Sequence, residues 1–286
     1  MAGQGPPRTE KGGGAVVTTP HGTRIASQPR LLSRAAEGPP RYRLVCLPHA
    51  GGGAASFTPW LRGMPPDVEV HSVRLPGRES RMSDPPHRHF AQAVSELLDL
   101  LGGWAPIPWA LYGHSMGGLL AYELYHALTE AGLPDPLSLA VGATTPPQRW
   151  VRTPRKLRDG YSREELVGLL RHYGGAPTEL FDNAELLEVV LPAVEADFLM
   201  LDGYRPTNTA RPVRCPLLVF AGSRDPAVVP DDIAAWRELA AGPFEYRLLE
   251  SAGHFFASSH TETLMTILDA RTRERIPLER FESDSQ

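Results

Sequence analysis

The sequence predicts an α/β fold in which helices flank a mostly parallel central sheet. From Leu44 onward, short apolar runs alternate with helical patterns, and turns that contain glycine or proline separate them. Short runs buried on both faces, with amphipathic helices between them, are typical of a parallel sheet with crossover helices. The 286 residues, of which 42% are hydrophobic, suffice for one large domain or two modest ones.

Six apolar runs predict the strands of this sheet. They are Leu44–Leu47, Val68–Val73, Trp109–Tyr112, Leu137–Val141, Pro216–Phe220 and Phe244–Leu249. Helices are predicted over residues 90–101, where apolar residues recur at helical spacing, and over residues 117–131, before Gly132 and Pro134. The α/β core is therefore expected to comprise residues 44–147 and 211–286.

Two segments depart from this alternation. Residues 1–43 contain seven Gly and six Pro, and this composition predicts a disordered, basic tail. Residues 148–210 predict a helical lid over the carboxyl edge of the sheet, where open parallel sheets bind ligands. Two capping-box patterns mark helix starts in this lid, Ser162-x-x-Glu165 and Asp182-x-x-Glu185.

Composition excludes several classes of protein. A formal charge of −4 gives no general attraction for nucleic acid or anionic membranes. Two cysteines cannot form a disulfide framework, and the N-terminus has no apolar signal region, so we expect a cytoplasmic protein. Residues 100–122 lack Asp, Glu, Lys and Arg, but glycines and prolines interrupt them, which favours a buried strand and turn over a bilayer span.

The pentapeptide Gly113-His114-Ser115-Met116-Gly117 predicts a nucleophile. It stands between a predicted strand and a predicted helix, which is the context that a G-x-S-x-G nucleophile elbow requires. The turn would lift the Ser115 hydroxyl clear of the sheet and aim the N-terminus of the helix at developing negative charge. A chance match in a glycine-rich loop is the alternative.

A serine nucleophile needs a base and an acid, and both have candidates late in the chain. His254 follows a predicted strand and a short Gly turn, whereas His260 is expected within the next helix. Asp225 follows the Pro216–Phe220 strand, and its competitors Asp231 and Asp232 are expected at the start of a helix. His87 and His89 have no carboxylate or Cys at metal-ligand spacing, so no zinc site is expected. A serine nucleophile with its own base and acid needs no cofactor, so none is expected.

The loop after the first core strand is predicted to supply an oxyanion hole. Glycines 51–53 would let its backbone approach a substrate closely, and the N–H groups of Ala50 and Met116 are the candidate donors. A phosphate-binding P-loop is excluded because no G-K-[ST] follows these glycines.

Five stretches of the sequence share one further property. They are Leu47-Pro48-His49-Ala50-Gly51-Gly52, Arg74-Leu75-Pro76-Gly77-Arg78-Glu79, Gly113-His114-Ser115-Met116-Gly117-Gly118, Cys215-Pro216 leading to Asp225-Pro226, and Gly253-His254-Phe255-Phe256. In register, all five resemble the type II thioesterases of polyketide and nonribosomal peptide pathways, a group within the α/β-hydrolase superfamily. The resemblance runs from about Leu44 to about Leu268; the first 43 residues and the charged end after Arg271 lie outside it.

The resemblance implies an α/β-hydrolase fold with a helical lid, and hydrolysis of acyl groups from phosphopantetheinyl carrier proteins. It assigns catalysis to Ser115, Asp225 and His254, with oxyanion amides at Ala50 and Met116. The expected partners are an acyl-carrier or peptidyl-carrier protein and small acyl thioesters, and the expected state is a monomer.

Two further sets of residues are assigned by hypothesis. The apolar lid face with Phe198, Leu199 and Leu201 would enclose the acyl chain, although ordinary lid packing explains these residues equally well. A basic segment without acids would meet the acidic carrier protein or the phosphate of its arm, against the alternative of a solvated loop. Its basic residues are Arg149, Arg152, Arg155, Lys156 and Arg158.

Three other functions stay open. A general carboxylesterase or lipase would use the same three residues, and preference for oxygen esters would distinguish it. A noncatalytic binding protein on the same scaffold would be indifferent to Ser115→Ala. A chain-terminating thioesterase is less favoured, because such domains are usually fused to a synthase.

Overall fold

A central sheet organises the protein in the computed structural model. The structure describes residues 15–18 (backbone only), 24–104, 107–150, 160–174, 178–206 and 211–276. In these residues the sheet has nine strands, in the order β1-β2-β3-β5-β4-β6-β7-β8-β9. They are β1 Ala15–Thr18, β2 Arg24–Ser27, β3 Leu31–Arg34, β4 Tyr42–Leu47, β5 Val68–Val73, β6 Trp109–His114, β7 Ser138–Gly142, β8 Leu217–Gly222 and β9 Phe244–Leu249.

Strands β4 to β9 pair in parallel, whereas β1, β2 and β3 form an antiparallel meander that joins the sheet beside β5. The six predicted strands are the six parallel ones, with ends shifted by up to two residues. The predicted α/β class with a mostly parallel sheet is confirmed.

Helices cover both faces of the sheet. The described α-helices are α1 Thr58–Gly63, α2 Phe90–Gly102, α3 Met116–Glu130, α4 Arg163–Tyr173, α5 Thr178–Asp182, α6 Ala184–Gly203, α7 Pro230–Ala234, α8 Phe256–Ser259 and α9 Thr261–Arg273. The two predicted helices of the core correspond to α2 and α3, within one residue at each end.

Neighbouring residues of the parallel strands bury their side chains in opposite cores. In β4, Val45 and Leu47 pack in the core that holds α2 and α3, whereas Leu44 and Cys46 pack in the core that holds α1 and α9. A strand buried on both faces has no polar side, which is why the central strands β4, β6, β7 and β8 carry runs of apolar residues. The outer parallel strands β5 and β9 are only partly buried and include polar residues.

The expectation that residues 1–43 form a disordered tail is wrong for their described part. Residues 24–27 and 31–34 are strands, and β4 begins at Tyr42. The Arg34 guanidinium donates to the backbone oxygens of Met64, Pro65 and Val68, and Leu31 is buried. Averaging the composition over 43 residues hid these strands, because five of the seven glycines lie before residue 15.

Helices α4, α5 and α6 lie between β7 and β8, within the segment predicted as a lid. The Ser162/Glu165 capping box forms as predicted at the start of α4. The Asp182/Glu185 box does not form: Asp182 ends α5, and the Asn183 side chain accepts from Leu186 N and caps α6. Asparagine is as good an N-cap as aspartate, so Asn183 caps the helix in place of the expected Asp182.

The loops that follow β4 and β6 leave the carboxyl edge of the sheet side by side. The chain passes from β4 to β5 on one side of β4 and then returns to β6 on the other side. Such a reversal of strand order opens a crevice at the carboxyl edge, where α/β proteins place their ligands.

No helix in the described ranges has the length and apolarity needed to cross a bilayer.

Candidate active site

Ser115 stands in a strained turn between β6 and α3. Its φ is 54° and its ψ is −117°, a conformation that non-glycine residues rarely adopt. Its N–H donates to the Gly142 carbonyl oxygen at the end of β7, at 2.7 Å. The glycines on either side are required, because a Cβ on Gly113 would lie 2.0 Å from Gly117 O, and one on Gly117 would lie 2.2 Å from Leu47 O.

The loops after β8 and β9 bring Asp225 and His254 to Ser115. His254 Nε2 lies 3.0 Å from Ser115 Oγ. On the other side of the ring, His254 Nδ1 lies 2.8 Å from Asp225 Oδ2 and 3.0 Å from Oδ1. The structure therefore brings together the three side chains that the sequence selected as nucleophile, base and acid.

The partners of the His254 ring determine its tautomer. The side chain of Asp225 is buried, and a carboxylate only accepts hydrogen bonds, so His254 Nδ1 carries the proton. Nε2 is then left as an acceptor for the Ser115 hydroxyl. Asp225 Oδ1 also accepts from Ala227 N at 2.8 Å, which fixes the carboxylate. This arrangement can remove the proton of Ser115 as its oxygen attacks a carbonyl carbon.

His114, the residue before Ser115, forms a second layer behind His254. Its Nε2 lies 2.7 Å from the His254 carbonyl oxygen, and the Tyr112 hydroxyl lies 3.0 Å from its Nδ1. Burial, together with the neighbouring His254 and His49 rings, holds the pKa of His114 well below its usual range. The ring is therefore neutral, donating through Nε2 and accepting through Nδ1.

The two proposed oxyanion donors lie at the ends of adjacent elements. Met116 is the first residue of α3, so its N–H has no acceptor inside the helix. Gly117 lies so close to Leu47 O and Pro48 O that α3 begins directly against the strand and loop that lead to Ala50. The loop and the serine turn are thus neighbours, as an oxyanion hole at Ala50 and Met116 requires.

A cavity of about 370 Å³ opens beside Ser115 and His254. Phe198 and Leu201 of α6, two of the three lid residues selected from the sequence, line it. Leu199 does not, which corrects the expectation that it would enclose an acyl chain. Residues 198 and 201 share one face of the helix, and residue 199 points about 100° away from residue 198. The lining also carries polar side chains, namely Thr144, Thr145, Arg149, Tyr161, Tyr173, Asp202 and Asp232.

The basic segment is described only at Arg149. Arg152, Arg155, Lys156 and Arg158 lie outside the described residues. Arg149 lines the cavity and forms an ion pair with Glu238 over 2.9 Å, with both side chains about half exposed. Its charge is therefore already partnered within the chain.

The rival residues are not hydrogen-bonded to the triad, although Asp232 lies in the cavity lining. His260 stands at the junction of α8 and α9 rather than inside a helix, and its Nδ1 contacts Ser259 Oγ. Asp231 and Asp232 lie in the first turn of α7, with Val229 at the N-cap position. Asp225 and His254 are the pair hydrogen-bonded in line with Ser115.

Sequence reasoning missed one buried ion pair beside the site, between Arg78 and Asp197. Arg78 belongs to a motif that carried the family resemblance, but without an assigned role. The sequence did contain one indication for Asp197, because this carboxylate stands among apolar residues on a predicted helix. A carboxylate buried in such a place needs a cation or N–H donors as partners.

Comparisons with known proteins show which family the chain resembles. The Thioesterase domain family model matches residues 42–272. The Gramicidin S biosynthesis protein GrsT of Aneurinibacillus migulanus is 33% identical over 218 residues, which is 76% of this chain and 83% of that protein. The human medium-chain S-acyl fatty acid synthase thioesterase is 32% identical over 222 residues, covering 75% of this chain and 80% of that one.

Among solved structures, the type II thioesterase BorB from the borrelidin biosynthetic cluster superposes with a TM-score of 0.77 at 32% identity, covering 86% of this chain and 99% of BorB. The resemblance to type II thioesterases drawn from the sequence motifs is thereby confirmed. The chain belongs to the thioesterase domain family.

Proposed function

We propose that this chain is a serine thioesterase that hydrolyses acyl groups from phosphopantetheinyl carrier proteins in the biosynthesis of a polyketide or nonribosomal peptide. The observation that carries the proposal is the hydrogen-bonded series from Asp225 through His254 to Ser115. Membership of the thioesterase family and similarity to BorB, a type II thioesterase of a biosynthetic cluster, support the substrate class.

The first half-reaction transfers the acyl group to Ser115. The Oγ atom attacks the thioester carbonyl carbon while His254 Nε2 takes the hydroxyl proton, and Asp225 stabilises the imidazolium that forms. The amides of Ala50 and Met116 bind the oxyanion of the tetrahedral intermediate. As the C–S bond breaks, His254 returns the proton to the sulfur, and the pantetheine thiol leaves.

The second half-reaction releases the acid. A water molecule gives a proton to His254 Nε2 and attacks the acyl-enzyme carbonyl carbon, and the oxyanion forms again in the same hole. His254 then protonates Ser115 Oγ as the ester bond breaks. Every proton taken is given back, so these side chains and amides complete the cycle with water as the only co-substrate.

The carrier protein is the proposed macromolecular partner. Its phosphopantetheine arm would reach Ser115 through the opening of the cavity, which Arg149 lines. We include the basic segment from Arg149 to Arg158 in the proposal as the docking edge for an acidic carrier. Reversing two of these charges should raise KM for an acyl-carrier protein and spare a small acyl thioester; an equal effect on both substrates would exclude this docking role.

The deciding experiment is a hydrolysis panel of carrier proteins loaded with acetyl, medium-chain and long-chain groups, with matched oxygen esters beside them. Ser115→Ala should lower kcat on the preferred acyl carrier by at least about 10⁴-fold. It should also abolish labelling by a fluorophosphonate. Ser258→Ala, which removes an exposed hydroxyl, is the matched control and should keep both activities.

Preference for the oxygen esters would favour a general carboxylesterase instead. If Ser115→Ala and the unmodified protein hydrolyse every substrate equally and a fluorophosphonate labels neither, a serine hydrolase mechanism is excluded; no hydrolysis above background by either protein would favour the noncatalytic binding protein.

A further inference from the structure

A buried ion pair connects α6 to the loop that carries Ala50. Asp197 Oδ2 accepts from Arg78 Nη1 at 2.7 Å, and Oδ1 accepts from Arg78 Nη2 at 2.8 Å. The Arg78 side chain is 7% exposed and the Asp197 side chain is 1% exposed. Desolvation of both charges offsets most of their attraction, so overall stability is a weak explanation for such a pair. Its other hydrogen bonds indicate a more specific role.

These other hydrogen bonds hold the glycine loop by its backbone. Asp197 Oδ2 also accepts from Gly51 N at 2.7 Å, and Arg78 Nη1 also donates to Gly52 O at 2.8 Å. The peptide plane between Ala50 and Gly51 is therefore fixed by a carboxylate. The N–H of Ala50 is only one residue away from this plane, so its direction depends on where Asp197 lies.

The fit of Gly51 against α6 is close. Gly51 has a φ of +76°, and a Cβ at this position would lie 3.0 Å from Val194 Cγ2, one turn before Asp197 in the helix. A side chain here would both strain the backbone and separate the loop from α6. Glycine at this position thus permits the contact between Gly51 N and Asp197.

The residue after Arg78 holds the other end of the same loop. Glu79 Oε1 accepts from Ala55 N at 2.9 Å, and Glu79 Oε2 accepts from Arg74 Nε at 2.5 Å. Glu79 reaches this position with a φ of 50°. The motif from Arg74 to Glu79 thus contacts the loop at two points, and Asp197 supplies the contact from the helical insertion.

We propose that Arg78 and Asp197 are positioning residues that hold the Ala50 amide in the oxyanion hole, so that the hole is complete only when α6 is seated on the loop. This inference rests on the proposed function, because it requires Ala50 to bind an oxyanion. Preorganised donors accelerate acyl transfer because they need no reorganisation as the charge forms. An anchored Gly51 provides that preorganisation for the neighbouring amide.

Asp197→Asn is the first test. The amide cannot accept from Gly51 and from both Arg78 nitrogens as the carboxylate does, so the loop should loosen. We expect kcat to fall by about 10- to 100-fold while KM stays within about twofold. This loss of kcat does not exceed the loss seen when an oxyanion-hole donor is removed outright. An acyl trifluoromethyl ketone forms a tetrahedral oxyanion on Ser115, and its Ki should rise by the same factor as kcat falls. The Kd of a nonhydrolysable thioether analogue should not change.

The double variant Arg78→Met with Asp197→Leu guards against simple misfolding. Apolar replacement of a buried ion pair is often neutral or stabilising, so Tm should be maintained. The kcat and the ketone Ki should still change as in Asp197→Asn, because no acceptor remains for Gly51 N. Asp67→Asn is the control: it breaks another two-bond pair, with Arg273, at the amino end of β5, and should leave kcat and the ketone Ki unchanged.

Two outcomes would overturn the inference. One is that both folded variants keep kcat and the ketone Ki within about twofold of the unmodified protein. The other is that affinity for the thioether falls in step with affinity for the ketone, since that indicates a general lesion of the pocket. In either case an inactive Ser115→Ala would leave the proposed function intact, whereas an active Ser115→Ala would remove the proposed function itself.

Discussion

His114 donates a hydrogen bond from Nε2 to the backbone carbonyl oxygen of His254, over 2.7 Å. The residue beside the nucleophile therefore holds the backbone of the base, and the Tyr112 hydroxyl fixes the tautomer that makes this possible. The bond joins the end of β6 to the loop after β9, and these two strands are separated in the sheet by two other strands. It ties the Ser115 turn to the His254 loop independently of the bond between their side chains.

Replacing His114 with phenylalanine should destabilise the protein and weaken catalysis. Two buried polar groups, the His254 carbonyl and the Tyr112 hydroxyl, would lose their partner, so the free energy of unfolding should fall by about 1–3 kcal/mol. The kcat should fall more than KM rises, because the His254 ring loses its support. Urea unfolding and steady-state kinetics measure the two effects. His260→Phe is the control and should keep kcat; equal losses in the two variants would contradict the role of His114.

Asp225→Asn should remove most activity without unfolding the protein. An asparagine NH₂ group facing Nδ1 would stabilise the tautomer protonated at Nε2, which cannot accept the Ser115 proton. When the histidine base is held in the wrong tautomer in this way, kcat falls by about 10⁴-fold with little change in KM. Steady-state kinetics on an acyl carrier measures this loss. Asp231→Asn, in the first turn of α7, should retain kcat; a loss of less than about tenfold for Asp225→Asn would exclude it as the acid.

Gly117→Ala tests the close packing of the serine turn. Its Cβ would lie 2.2 Å from Leu47 O and 2.7 Å from Pro48 O, and backbone cannot move aside as a side chain can. We expect a loss of about 3 kcal/mol or more in unfolding free energy. Gly168→Ala, exposed in α4 with nothing near its added Cβ, should instead stabilise by about 0.5–1 kcal/mol. Urea denaturation of the two variants distinguishes the sites; similar stabilities would contradict the clash.

The sequence was most informative where function depends on local geometry. The strand, turn and helix around Ser115 are specified by an apolar run, two glycines and a helical pattern, all within about twenty residues. Asp225 and His254 were found because each follows a strand of the same parallel sheet, and parallel strands deliver their next residues to one edge.

What the sequence did not reveal depends on contacts between distant segments. Strand β3 pairs with β5 and Arg34 binds carbonyls near residue 65, and neither partner is visible from the composition of the first 43 residues. The role of Asp197 likewise depends on its hydrogen bond with Gly51, which is 146 positions away in the sequence. Such pairings have no local pattern, since a single carboxylate or a short polar strand is compatible with many environments.

Leu201→Phe should narrow the range of acyl groups that the enzyme accepts. Leu201 lines the cavity beside Ser115, so a larger ring would occupy space that a long acyl chain needs. We expect kcat/KM to fall by about tenfold or more for long-chain carriers and to change little for acetyl carriers. Leu199→Phe is the matched control, since Leu199 lies outside the cavity lining. If both variants show the same chain-length profile, the cavity does not bind the acyl group.

His126, in α3, gives the protein a defined sensitivity to acid. Its side chain is buried against the rings of Tyr122 and Tyr125. Burial, with a further contribution from the positive charge of Arg211, lowers the pKa of His126 from 6.5 to about 4. The native state thus keeps this ring neutral over a pH range in which the unfolded chain protonates it.

Replacing His126 with phenylalanine should flatten the dependence of stability on pH between about 6.5 and 4. In this window the unfolded state binds more protons than the native state, so the free energy of unfolding rises with pH and is lost as pH falls. The unmodified protein should therefore take up about one more proton on unfolding than His126→Phe does in this window. Urea unfolding at half-unit pH steps measures the two slopes. Parallel slopes would show that His126 titrates alike in both states, and a steeper slope in the variant would reverse the sign derived from its burial.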